Sequence, residues 1–150
     1  MGKIFYLMGK SSSGKDSLFK KIKERIPELK NIILYTTRPI REGEQNGVEY
    51  HFVDENKLQE FGKENMIPLY VEVEDGLRLS RALERERQQA APKYAEMCRR
   101  FLADSEDFSE KNLQDAGITK RFQNFDFQKC VSEICDYIRC EKTTTSVGGE

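Results

Sequence analysis

Lys15 stands in the stretch GKSSSGKDS, Gly9 to Ser17, between a β-prone run and a helical one. A lysine directly behind a glycine-bounded loop suits one kind of chemistry, the holding of nucleotide phosphates. Gly9 and Gly14 let the backbone turn tightly, so that N–H groups of Lys10, Ser11, Ser12 and Ser13 can point at one anion. The helix opening near Lys15 adds its positive dipole end, and Lys15 itself can reach the β- and γ-phosphates as a flexible point charge. Ser17 offers a hydroxyl to the α-phosphate. Asp16 is the departure, because a Ser or Thr usually holds Mg²⁺ at this point of such a loop. A carboxylate is also a hard oxygen ligand for Mg²⁺. Asp16 therefore has two roles open to it: metal ligand, directly or through a water, or simply the acid that starts a helix. The bland alternative for the whole stretch is a Ser/Gly-rich turn. Spacing, lysine and strand–loop–helix context all speak against it.

A second group of charges follows in TTRPIREGEQNGVEYHFV, Thr36 to Val53. Arg38 and Arg41 are three apart on a loop, which suits a dianionic phosphate, and Tyr50 can add a hydroxyl to the same group. A solvated charged loop would look similar. Further along, Arg81 and Arg85 are one helical turn apart and so share a face. Glu84 and Glu86 could equally make them part of a solvated helix.

The elements that must position these residues alternate in type. Lys3 to Met8 reads as a strand. From Asp16 a helical stripe of Leu18, Phe19, Ile22 and Ile26 runs to Pro27. Ile32 to Thr36 is a short apolar run of the kind buried on both faces of a sheet, 37–48 is a loop, and Val48 to Val53 is a further strand. Asp54 opens a helical stretch toward Met66. Pro68 to Val73 is a strand, Gly76 to Gln89 a basic helix, and Pro92 opens a helix through Ala103. Glu106 to Asp115 predicts a short helix stopped by Gly117. Thr119 to Gln123 predicts a strand, and Phe127, Val131, Ile134 and Ile138 give a last helix one apolar face. Thr143 to Glu150 reads as a flexible tail. Such alternation predicts an α/β fold with a mainly parallel sheet.

The chain of 150 residues suffices for one domain with a real core. Its 25 basic and 26 acidic residues give a net charge of −1, which argues against a general nucleic-acid binder. No apolar run approaches a membrane span, and the short run Ile4 to Met8 lacks the shape of a signal peptide. Of the four cysteines, Cys130, Cys135 and Cys140 step by five and turn around one helix, far in sequence from the lone His51. Reduced thiols of a cytoplasmic protein fit this better than a zinc site.

The two motifs together resemble the guanylate kinase family. That family carries a phosphate loop and then a T-T-R-x-x-R-x-G-E-x-N-G-x-x-Y-x-F segment, which Thr36 to Phe52 matches nearly throughout. Tyr35 stands where the family usually carries serine. The resemblance implies a P-loop NTPase-type three-layer α/β fold with a mainly parallel sheet and lid helices. It implies one kinase domain over 1–142, with a remnant of the nucleoside-monophosphate-binding subdomain at about 36–60 and a lid at about 80–104. It further implies Mg²⁺-dependent transfer of a phosphoryl group from ATP to GMP. In that scheme Gly9, Lys10, Ser11, Ser12, Ser13, Gly14, Lys15, Asp16 and Ser17 hold ATP, with Asp16 on the metal. Arg38, Arg41 and Tyr50 hold the GMP phosphate. Lys15, Arg81, Arg85 and Arg100 act on the transferring group, Arg99 competing with Arg100 for its place. Asn124 falls where the family approaches adenine.

A stretch that the family fits between Tyr50 and Pro68 is missing. It normally supplies a carboxylate for guanine, another tyrosine and a core strand ending in aspartate. Here only HFVDENKLQEFGKENMI stands in its place, with Glu60 and Glu64 as the nearest carboxylates. The nucleoside-monophosphate-binding subdomain is thus expected to be truncated or incomplete, with the join between Val53 and Lys63. An omitted segment, a deletion or provision by another chain would each explain it. Two other functions stay open: a kinase for another nucleoside monophosphate or a phosphorylated sugar, and a non-catalytic binding module of the same fold.

Overall fold

The computed structural model describes residues 3–30, 35–36, 42–43, 45, 51–52 and 66–143. Its centre is a parallel sheet of β1 (Ile4–Met8), β4 (Met66–Glu72) and β5 (Arg121–Gln123), in the order β1-β4-β5. β1 runs alongside β4 from Ile4 opposite Met66 to Met8 opposite Tyr70. β5 covers only the second half of β4, from Tyr70 opposite Arg121. Pro68 lies before that half, so its missing N–H has no β5 partner to lose. A separate parallel pair joins β2 (Tyr35–Thr36) and β3 (His51–Phe52).

The side-chain alternation of β4 builds the layers. Leu69 and Val71 go to one face, where Leu18 and Ile22 of α1 (Lys15–Arg25) meet Val131, Ile134 and Ile138 of the last helix. Cys130 and Cys135 are in the same core with no exposed surface. Tyr70 goes to the other face, against Leu113 and Ile118. The result is the expected three-layer α/β arrangement, helix on sheet on helix, with every strand pairing parallel among the described residues.

The helices after β4 are α2 (Asp75–Arg87), α3 (Tyr94–Asp107), α4 (Glu110–Asp115) and α5 (Phe127–Thr143). The Glu74 carboxylate caps α2, accepting from the N–H groups of Gly76 and Leu77 at 2.8 Å each. The expected lid of 80–104 corresponds to the second half of α2, its connection and most of α3.

Two expectations are corrected. Phe19 is not part of the buried stripe of α1 but is 47% exposed. It lies about 100° around the helix from Leu18, off the face that Leu18 and Ile22 bury. The helix expected over Glu106 to Asp115 is two pieces. α3 continues through Asp107; Phe108 then turns inward to stack on Tyr70, with ring centroids 5.7 Å apart. The Ser109 hydroxyl accepts from the Asn112 N–H and starts α4.

The expected helix after Asp54 and the join between Val53 and Lys63 lie outside the described residues, as does most of the tail.

Candidate nucleotide site

The loop from Gly9 to Gly14 leaves the end of β1 and enters α1. Both glycines are required by what surrounds them. A Cβ on Gly9 would sit 2.5 Å from the Val71 carbonyl oxygen on β4. Gly14 has φ of 86°, and a Cβ there would sit 2.5 Å from Asn124 Nδ2. Ser12 also takes a positive φ, 63°. Two left-handed residues thus flank Ser13, an alternation that turns successive N–H groups to one side and makes an anion-binding concavity. Gly14 is the N-cap of α1 and no side chain bonds the first N–H groups of that helix. They are available to an anion, and the helix dipole favours one there.

This loop opens onto a cavity of about 620 Å³ lined by 11–17, Arg81, Arg85, Arg100, Asn124, Phe125 and Phe127. Ten sequence-predicted residues, counting Ser11 to Ser17 with the three arginines, therefore share one space with Asn124. Arg85 reaches across from α2 and bonds the Ser12 hydroxyl. Arg100 lines the cavity, whereas Arg99 is engaged with Glu96 through Nε at 2.8 Å and Nη2 at 2.5 Å. Geometry thus puts Arg100, not Arg99, beside the loop. Lys10 is turned aside, with Nζ 3.4 Å from Asp75 Oδ1. Arg38, Arg41 and Tyr50 lie outside the described residues, as do Glu60 and Glu64.

Lys15 Nζ lies back across the loop and donates to the Gly9 carbonyl at 2.6 Å. Burial lowers its pKa, and the carboxylates of Asp104 and Asp16 oppose that shift. A phosphate in the cavity would add to the negative charge of Asp104 and Asp16 and further offset the cost of burying this ammonium.

Asp16 is exposed on the cavity wall, next to Ser17. Among the described residues no cluster of three or more His, Cys, Asp or Glu could enclose a metal. A lone carboxylate fits Mg²⁺ in the form that ion usually takes with nucleotides, one or two protein carboxylates with substrate phosphates and waters.

Asn124, expected near adenine, lines the same cavity with its side chain turned to the loop. It is buried, its Nδ2 donates to the Ser13 carbonyl at 2.8 Å, and its N–H donates to Glu72 O at 2.9 Å. Its side chain holds the loop. The neighbouring Phe125, 86% exposed, presents the ring to the cavity instead. Nothing in the spacing of the motif pointed to Phe125, since an aromatic beside an asparagine carries no pattern of its own. Two more residues behind the loop, Arg78 and Asp104, were not singled out by sequence either. No helix among the described residues is long and apolar enough to cross a membrane.

A family model described as guanylate kinase matches residues 1–77, just over half of the chain. The guanylate kinase of Mycobacterium bovis is 35% identical over 83 residues, 55% of this chain and 40% of that protein. The guanylate kinase of Sulfurimonas denitrificans is 50% identical over 58 residues, 39% of this chain and 28% of that protein. The chain thus spans less than half the length of these curated relatives. A solved guanylate kinase from Anaplasma phagocytophilum superposes with a TM-score of 0.49 at 14% identity, covering 93% of this chain and 86% of that one. With the family match running through both the phosphate loop and the arginine-rich segment that follows it, the chain belongs to the guanylate kinase family.

Proposed function

We propose that the chain catalyses Mg²⁺-dependent transfer of a phosphoryl group from ATP to GMP, giving ADP and GDP. The observation that supports this best is convergence. Lys15, Arg81, Arg85 and Arg100 come from three separate helices, yet all line the cavity onto which the phosphate loop opens. Phosphoryl transfer asks the protein mainly for positioning and for cations around the transferring group. Lys15 and the loop amides would hold the β- and γ-phosphates of ATP, and Asp16 would take the protein's side of Mg²⁺. Bound Mg²⁺ supplies charge neutralisation across the phosphates. Arg81, Arg85 and Arg100 would close over the transferring group. Arg38, Arg41 and Tyr50 would grip the acceptor phosphate, as the family's motif implies. The partners are then ATP and GMP, with no nucleic acid and no membrane. The cytoplasm suits the reaction, as it holds these nucleotides and keeps thiols reduced.

The test is nucleotide turnover with ATP, Mg²⁺ and a panel of acceptors: GMP, dGMP, AMP, UMP and ribose bisphosphate. Formation of GDP from GMP, and of dGDP from dGMP, is expected. Equal use of AMP or the sugar phosphate would overturn the GMP assignment. Calorimetric titration with ATP and Mg²⁺ that shows no heat of binding would overturn the kinase altogether and leave a binding module.

A further inference from the structure

The backbone N–H and C=O of Ser11 are both held by one ion pair. Its N–H donates to Asp104 Oδ2 at 2.9 Å. Its carbonyl oxygen lies 3.4 Å from Arg78 Nη1, and that same nitrogen is 3.7 Å from Asp104 Oδ2. Asp104 comes from α3 and Arg78 from α2, so the pair joins the two helices expected to form the lid to the loop expected to hold phosphate.

Arg78 is built in for this purpose. It is 1% exposed, its guanidinium lies over the Phe101 ring at 3.8 Å, and Nη2 is 3.4 Å from Asp75 Oδ1. A buried arginine is costly unless it is paired and stacked. The planar fork of arginine can face a carboxylate, a carbonyl and a ring at once, which a lysine cannot. The effect on the loop is specific. A carboxylate already accepts the Ser11 N–H, so that donor is withdrawn from the anion concavity. The Ser13 N–H closes a turn onto the Lys10 carbonyl at 3.3 Å, so the N–H groups of Ser12, Gly14 and the start of α1 are left for phosphate.

We infer that Asp104 and Arg78 are positioning residues that clamp the Ser11 backbone, set the orientation of the phosphate loop and tie it to α2 and α3. The clamp bears on catalysis only through the triphosphate role proposed above, but its existence can be tested without that role.

The experiment follows backbone amides of the ¹⁵N-labelled full chain by NMR, first alone and then with Mg²⁺ and inorganic triphosphate. In the free protein the Ser11 amide should exchange with solvent at least about tenfold more slowly than the uncapped Gly14 and Lys15 amides at the start of α1. Asp104→Ala should abolish that protection. Asp104→Asn, which keeps an acceptor oxygen, should retain it within about threefold. On adding triphosphate the Gly14 and Lys15 resonances should move and that of Ser11 should stay. Equal Ser11 exchange in the parent and Asp104→Ala overturns the clamp, and so does a Ser11 resonance that moves as far as Gly14. If triphosphate moves no amide, the proposed function fails while the exchange comparison still decides the clamp. Should Asp104→Ala not fold, the slow exchange of Ser11 in the parent chain decides it alone.

Discussion

Asn124 and Ser13 are 111 residues apart in sequence, and the Asn124 carboxamide donates to the Ser13 carbonyl at 2.8 Å. The same asparagine is fixed through its N–H to Glu72 on β4. The Gly9–Gly14 loop therefore takes its position from the sheet as well as from its own glycines. Asn124→Ala leaves the Ser13 carbonyl buried without this donor, which should cost about 1–3 kcal/mol in urea unfolding. Affinity for Mg²⁺-triphosphate should fall with it. A variant with unchanged unfolding midpoint would show that the bond contributes nothing.

Three glycines separate steric from conformational cost. Gly9 lacks a positive φ but would clash with the Val71 carbonyl, whereas Gly117 has φ of 72° and open space around its missing Cβ. Gly14 has both problems. Gly117→Ala should cost about 1 kcal/mol from the left-handed backbone alone. Gly9→Ala should cost about 1–3 kcal/mol, because a strand backbone cannot step aside. Gly14→Ala should exceed both. Denaturant midpoints of the three variants give the order, and Gly117→Ala as the worst would refute it.

How much of this was legible in the sequence follows from how local each feature is. β1, the loop and α1 are contiguous, and α5 carries its apolar stripe on its own surface, so pattern and spacing suffice for them. The cavity-lining arginines were found through the motif around them. Asp104 had no such marker: it is one of 26 acidic residues, and its partner Ser11 is 93 positions away. Arg78 sits four residues after Glu74 on a helix that looks uniformly basic, and only packing shows that it is buried while Arg81 and Arg85 are not. Asn124 was found, but the direction of its side chain is set by the loop behind it. The break between α3 and α4 likewise depends on Phe108 finding Tyr70, a contact made across the fold.

Lys15 carries a charge that burial in the loop disfavours. Its folded pKa is lowered by burial, with Asp104 and Asp16 opposing. Between that lowered value and the ordinary lysine value the unfolded chain binds more protons, so ligand-free stability should rise with pH across that alkaline window. Below the window the penalty is fully present. Lys15→Met should therefore be at least as stable as the parent at neutral pH and lose this alkaline rise. It should also weaken Mg²⁺-triphosphate binding by about 10–100-fold, the worth of a hydrogen bond to a charged group. Melting curves against pH, with and without triphosphate, read both effects. A Lys15→Met chain that binds triphosphate normally would remove Lys15 from the site.

The thiols divide in two. Cys130 and Cys135 are buried in the α1–α5 core, and burial pushes the Cys130 thiol up to about 11, with Glu133 adding to it. Cys98 and Cys140 are exposed. At pH 8 a disulfide reagent should modify two thiols quickly and reach the other two only through opening of the core, about a thousandfold more slowly or less. Mg²⁺-triphosphate should slow the second phase further if it binds only the folded chain. Four fast thiols would mean that α5 is not docked as described.

Phe125 offers the last and most direct test of how the cavity meets a nucleotide. An aromatic ring 86% exposed beside a phosphate concavity has a free face for a base, and stacking contributes about 1–3 kcal/mol per base. Phe125→Ala should therefore weaken ATP binding by about 5–150-fold while leaving inorganic triphosphate unaffected. The chain contains no tryptophan, so Phe125→Trp introduces a single indole, excited apart from the tyrosines, that also preserves stacking. ATP should quench it and inorganic triphosphate should not. Equal weakening of both ligands by Phe125→Ala would mean that the residue acts through the loop it adjoins, and the base would have to lie elsewhere in the cavity.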